Sequence, residues 1–200
     1  KASIKLTFYW LQKRDHLSLP IAAAVSGTLI RFDFTPPPSM LLPIYVLVLS
    51  AVVSFSKIGK NLIANNSLGV LIIIQSMRIP VELLLHYGSE QEIVPEMLSI
   101  TGWNYDLISG IGAAVIGGLL TGGIDVNRRV IWLWNFFGIG CLIMIFFIAV
   151  TSNPLIRAWG DDPKMLNTWV LYWPYVLLPC FLVVVAVSGH ILVTRKLMQK

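Results

Sequence analysis

Residues 67–88 read SLGVLIIIQSMRIPVELLLHYG. The run has the roughly 20 residues a helix needs to cross a bilayer. In hydrocarbon a backbone must satisfy its own polar groups, which here means a helix. Four polar side chains interrupt the run: Gln75, Arg78, Glu82 and His86. At helical spacing they fall within an arc of about 80° on one face. Leu71, Ile74, Met77, Val81 and Leu84 occupy the opposite face. Arg78 falls at the middle of the run, where insertion scales charge roughly 3 kcal/mol for an arginine. A chain that keeps it there is expected to bury it against protein or water, and function is expected to lie along this stripe.

The rest of the chain has the same character. Of its 200 residues, 56% are hydrophobic and only 12% charged, about half the charged share of a soluble domain. Hydropathy predicts an all-α, polytopic membrane bundle of six transmembrane helices in a single domain covering residues 1–200. The spans are 17–32, 40–56, 67–88, 105–122, 130–151 and 169–194. Residues 1–16 form either an amphipathic interfacial segment or an extension of the first helix. The sequence opens on Lys1 rather than Met, so the native start is expected upstream. With the N-terminus inside, eleven of the 15 Lys and Arg residues fall on inner segments and three, Arg31, Arg157 and Lys164, on outer loops. Arg78 is the fifteenth. That asymmetry predicts cytoplasmic termini. It accounts for the net charge of +5 as topology and leaves no basic face for nucleic acid.

The outer loops are expected to be acidic, with Glu90, Glu92, Glu96, Asp161 and Asp162. Trp103, Tyr105, Trp159, Trp169, Tyr172, Trp173 and Tyr175 gather at the same level, either as an interface belt or as the rim of a ligand or partner surface. Pro36, Pro37 and Pro38 stiffen the first outer loop. Pro43, Pro80, Pro174 and Pro179 lie inside spans and free carbonyls there. Arg78 could bond such a carbonyl in its own helix or pair with Glu82 one turn on. Gly110, Ala114 and Gly117 form a small-residue stripe in the fourth span and are read as helix packing. Asp106 continues that face outward.

A ligand-binding or proton-relay cluster of Arg78, Glu82, His86 and Asp106, with Gln75 below, is the expected site. Asp106 is expected to face His86 and Glu82 where the third and fourth spans pack. No catalytic residue, metal site or cofactor is expected. His190 lies near the inner end of the sixth span and His86 near the outer end of the third, too far apart to ligate one haem iron; His16 could approach His190. Cys141 and Cys180 are read as small buried hydrophobes. Ser188 and His190 are two apart on one helix and do not face each other. No lysine lies within a span to form a Schiff base, and no metal-ligand or phosphate-loop motif is present.

Four phrases, SMRIPVELLL from Ser76, GWNYDLISGIGA from Gly102, LWNFFGIG from Leu133 and YWPYVLLPCFLV from Tyr172, together resemble a family of uncharacterised bacterial (Bacteroidetes-like) multi-span integral membrane proteins. The resemblance runs from about residue 17 to the C-terminus. It implies a bacterial cytoplasmic membrane, and it implies that the Arg-x-Pro-Val-Glu segment and the WNYD loop belong to a recurring design. It transfers no activity. The residues themselves favour a non-enzymatic protein that binds or passes a small polar or anionic solute or ion through an outward-facing polar pocket. The alternative is a non-catalytic accessory subunit of a larger membrane complex. The expected partners are the lipid bilayer and either other membrane subunits or further copies of the chain.

Overall fold

A computed structural model describes residues 18–31, 33 and 37–199. The expectations for residues 1–16 and for His16 and Pro36 lie outside the described residues. Within them every regular element is a helix, and four helices are long and apolar enough to cross a membrane: Pro38–Phe55, Leu68–Glu90, Arg128–Thr151 and Leu178–Met198. The contacts divide into two compact units, residues 1–65 with 168–188, and 66–167 with 189–200.

In the first unit, α1 (Ser18–Val25) has eight residues and ends before Gly27, whose φ of 71° a side chain would resist. A 3-10 turn at Thr28–Ile30 follows. The span expected at 17–32 is therefore not a continuous helix in its described part. A second 3-10 turn, Pro38–Met40, leads into α2 (Leu41–Phe55). Pro43 is accommodated because it sits in the first turn, where its missing N–H has no partner to lose. The chain then turns at Ser56, whose hydroxyl accepts from Ile58 N at 3.1 Å, into α3 (Lys57–Asn65). Gly59 permits this corner, because a Cβ there would strike the Ser54 carbonyl.

The same unit holds the start of the last span. The expected helix at 169–194 begins late. Residues 169–171 form a 3-10 turn, a π-helix covers Leu178–Val183, and α-helix resumes only after it. Pro174 and Pro179 explain the delay, since each lacks a donor and crowds the preceding turn. The π-helix packs on α2, with Val46, Val176 and Cys180 buried.

In the second unit, Ser67 caps α4 (Leu68–Ile73) by accepting from Val70 N at 3.3 Å. A 3-10 segment, Ile74–Met77, then joins α4 to α5 (Arg78–Glu90). Pro80 lies in the first turn of α5 and supplies no N–H to the preceding turn, which tightens to 3-10 geometry. α6 (Asp106–Thr121) has 16 residues, about 24 Å at 1.5 Å per residue. α7 (Arg128–Thr151) is capped by Asn127, which accepts from Arg129 N at 2.9 Å. The rest of α8 (Val184–Met198) completes the unit. Leu71, Ile72, Ala113, Ile131, Trp134 and Val193 form its apolar core.

α4 and α5 approach α6 closely because α6 presents glycines. A Cβ on Gly117 would lie 2.6 Å from Ile73 N, and one on Gly110 would lie 3.2 Å from both Arg78 Cβ and Ile79 N. Ala114 is half-buried beside them. Leu84 and Leu133 are each 70% exposed, and Ile108, Phe136 and Ile143 are also exposed. Apolar side chains facing outward along α2, α5, α6 and α7 are what hydrocarbon surroundings favour.

Candidate functional site

The polar stripe of residues 75–86 splits in the structure. Gln75, Arg78 and Glu82 are buried, at 0, 3 and 2% exposure, while His86 is half-exposed. The spacing explains the split. Arg78, Glu82 and Leu85 follow one another at i, i+4 and i+7 and define the buried face of α5. His86 comes one residue later and is carried about 100° round the helix from Leu85. Its Nε2 lies 3.8 Å from Glu90 on its own helix. Leu84, expected on the same apolar face as Leu71, is exposed while Leu71 is buried, because Leu71 stands one turn before Gln75 on the buried face and about 140° round the helix from Leu84.

Asp106 turns to Arg78 rather than to His86. Arg78 Nη1 donates to Asp106 Oδ1 at 2.9 Å and to Ser109 Oγ at 3.1 Å. The partner of the arginine is thus a carboxylate from α6, and neither Glu82 nor a carbonyl freed by Pro80 takes that place. Ser109 lies one turn beyond Asp106 on the same helix and meets the guanidinium from the same side. Glu82 is held differently: Asn104 Nδ2 donates to its Oε2 at 2.6 Å and to the Leu98 carbonyl at 2.9 Å. Asn104 Oδ1 accepts from Asp106 N at 3.0 Å. One asparagine therefore holds the Glu82 carboxyl and the backbone N–H of Asp106 that opens α6. Among the described residues Glu82 has no ion-pair partner.

What Arg78 leaves open bears on ligand chemistry. Its Nε and Nη2 are buried without a hydrogen-bond partner, as are both amide atoms of Gln75. Nε–H and the adjacent Nη2–H form the side-on fork of the guanidinium, the edge that grips a carboxylate or other oxyanion with two parallel bonds. A buried donor left unmatched costs about 1–3 kcal/mol, and more when charged.

A second polar group lies in the same unit. His190 is 1% exposed. Its Nδ1 lies 2.8 Å from Asn135 Oδ1, and Asn135 Nδ2 donates to Thr194 Oγ1 at 2.8 Å. Its ring packs on Trp134, with centroids 5.1 Å apart. Trp134 Nε1 in turn donates to the Ser109 carbonyl at 2.9 Å. The sequence pattern does not single out Asn104, Ser109 or Asn135. Helical spacing from Asp106 would have pointed to Ser109, and the WNYD phrase contains Asn104. Among the described residues no three His, Cys, Asp or Glu side chains group as metal ligands.

These elements define an all-helical protein with four helices fit to cross a membrane and a buried arginine–aspartate pair between two of its packed helices. Residues 35–198 match the family model described as Domain of unknown function (DUF8737), and the chain belongs to that family. The match covers all four phrases on which the resemblance rested. No curated protein and no solved structure matches the chain.

Proposed function

We propose that the protein binds or passes a small polar or anionic solute through a pocket in which Arg78 is the anchor. The observation that carries this reading is the unpartnered Nε–Nη2 edge of a guanidinium that is 97% buried. Asp106 and Ser109 occupy Nη1 and fix the plane of the group, so a guest oxyanion finds the fork already oriented. Gln75, one turn before Arg78, adds a free donor and a free acceptor. Glu82 and Asp106 set the local charge, and His86 stands at the entrance.

The topology that goes with this reading has six spans, both termini cytoplasmic, and the site opening outward. The lysine and arginine asymmetry supports it. The ion pair of Lys164 Nζ with Glu92, at 2.7 Å, is consistent with both loops lying on one side. The resemblance to bacterial sequences supports a bacterial cytoplasmic membrane.

The test is flux in proteoliposomes, using formate, acetate, nitrate and phosphate as probes. The protein is expected to pass at least one of them, and Arg78→Gln is expected to reduce that flux at least tenfold. Equal flux through both proteins for every probe would count decisively against the reading. A second reading, an accessory subunit of a larger membrane complex, is favoured by the exposed Trp103, Tyr105 and Trp159. Co-purification with fixed partners from native membranes would favour it over the first.

A further inference from the structure

Arg78 shares its buried surroundings with two carboxyls, Asp106 and Glu82, and all three belong to the second unit. Asp106 takes Nη1 of the guanidinium at 2.9 Å. Glu82 is tied instead to Asn104, which brings no charge, and among the described residues it makes no ion pair. The Nε–Nη2 edge of Arg78 has no protein partner. One turn of α5 separates Arg78 from Glu82, and Arg78 and Asp106 both act electrostatically on the Glu82 carboxyl. The buried face of α5 therefore carries one unpaired carboxyl and one unfilled arginine edge.

The other titratable groups nearby leave that imbalance in place. His86, one turn outward on α5, is half-exposed and lies 3.8 Å from Glu90. Glu96, in the 3-10 turn that packs on α5, is exposed. Cys141 on α7 is close enough to interact with Arg78, Asp106 and Glu82, but as a thiol it adds no charge. His190 on α8 interacts electrostatically with Arg78, and its Nδ1 is bonded to Asn135 rather than to either carboxyl.

An oxyanion seated on the Arg78 fork changes the charge balance. Arg78 then faces Asp106 on one side and the guest on the other, two negative charges against one positive. An ionised Glu82 would add a third. Buried charge without a partner is disfavoured so strongly that a carboxyl takes up a proton instead. With the fork empty, the open edge of the guanidinium lends its positive field to the Glu82 carboxylate. The guest and the negative charge of Glu82 thus compete for one arginine.

We propose that the Arg78 site takes up its oxyanion together with a proton, and that the Glu82 carboxyl holds the proton. The proposal rests on the reading of Arg78 as the anchor for an anion. On loading, an O–H bond forms on Glu82 with a proton drawn from water, while the guest keeps its charge and pairs with Nε and Nη2. On release that O–H bond breaks and the proton returns to water. A proton on Glu82 and an anion on Arg78 each favour the other by the same factor. The substrate class narrows to a small monovalent oxyanion, and loading the pair adds no net charge to the interior.

The test is calorimetric binding of nitrate, an oxyanion of fixed charge, to the full chain in lipid nanodiscs. Between about pH 5 and about pH 9 the native affinity is expected to fall as pH rises, by up to about tenfold per pH unit where Glu82 titrates. Heats measured in two buffers of different ionisation enthalpy are expected to show up to one proton taken up per nitrate in that range. Glu82→Gln stands in for the protonated acid and keeps an oxygen for Asn104. It is expected to bind nitrate with one affinity throughout and to take up no proton. His86 and His190 are untouched in that variant, so a pH dependence that survives in it would overturn the assignment to Glu82. Native binding that is lost in Arg78→Gln but does not change with pH would refute the coupling and keep the anchor. Nitrate bound at no pH would overturn both. Should Glu82→Gln not fold, infrared difference spectra of the native chain with carbon-13-labelled glutamate serve in its place. A label-shifted band of a protonated carboxyl is expected to grow with nitrate at the pH where affinity falls, and binding without that band would overturn the proposal.

Discussion

Arg78 sets the energetics at the scale of single residues. Its pair with Asp106 is almost wholly removed from solvent, at 3 and 7% side-chain exposure. Removing one member of such a pair costs about 3–5 kcal/mol, whereas replacing both by apolar groups is often neutral or stabilising. Arg78→Leu is therefore expected to lower the unfolding midpoint in a denaturing-detergent titration, and Arg78→Leu with Asp106→Leu to recover most of the loss. A double variant as unstable as the two single losses combined would mean the two side chains do not form a pair. Asn104 presents a second case. It makes three hydrogen bonds, one of them to a carboxylate. Asn104→Ala is expected to cost about 1.5–3 kcal/mol in the same titration. Helical periodicity alone brought Gln75, Arg78 and Glu82 to one buried face. It did not separate His86 from them, because His86 stands at one edge of the arc of about 80° while the buried face extends past the other edge to Leu85. The partner of Arg78 depended on how two helices meet, and no local pattern encodes that.

At the scale of elements, glycine positions decide which helices approach. Gly117 and Gly118 are adjacent in α6 but differ in surroundings. A Cβ on Gly117 meets the Ile73 backbone, while one on Gly118 meets nothing within 4 Å. Gly117→Ala is expected to destabilise by about 1–3 kcal/mol through overpacking. Gly118→Ala is expected to be neutral or to stabilise by up to about 1 kcal/mol, because alanine is the better helix former. Equal effects at both sites would contradict the placement of α4 against α6. Four of the six apolar spans read from hydropathy correspond to helices of bilayer length, and 105–122 corresponds to a 16-residue helix. The two departures, at 17–32 and at the start of 169–194, coincide with Gly27 and with Pro174 and Pro179. Hydropathy averages over such residues, whereas the backbone responds to each of them. Hydropathy does not mark the short helix α3, because Lys57, Lys60, Asn61 and Asn65 interrupt its apolar residues between two apolar spans.

For the whole molecule the governing question is orientation. The proposed topology, with six spans and inner termini, requires Lys57, Lys60, Arg128 and Arg129 to share a side with Arg195 and Lys196. Single cysteines placed at Lys60 and Arg129, in a chain with Cys141 and Cys180 replaced by alanine, are expected to resist a membrane-impermeant maleimide applied from outside. A cysteine at Asp161 is expected to react. Labelling at Lys60 from the same side as Asp161 would reverse or break the topology.

The proposed function rests on the open edge of Arg78. An experimental structure in lipid, at a resolution that shows ordered water, examines it directly. Non-protein density bridging Nε and Nη2 of Arg78, with Nη1 on Asp106 and Ser109, is the predicted result. Protein oxygens bonded to Nε and Nη2, or a guanidinium turned toward the lipid, would contradict it.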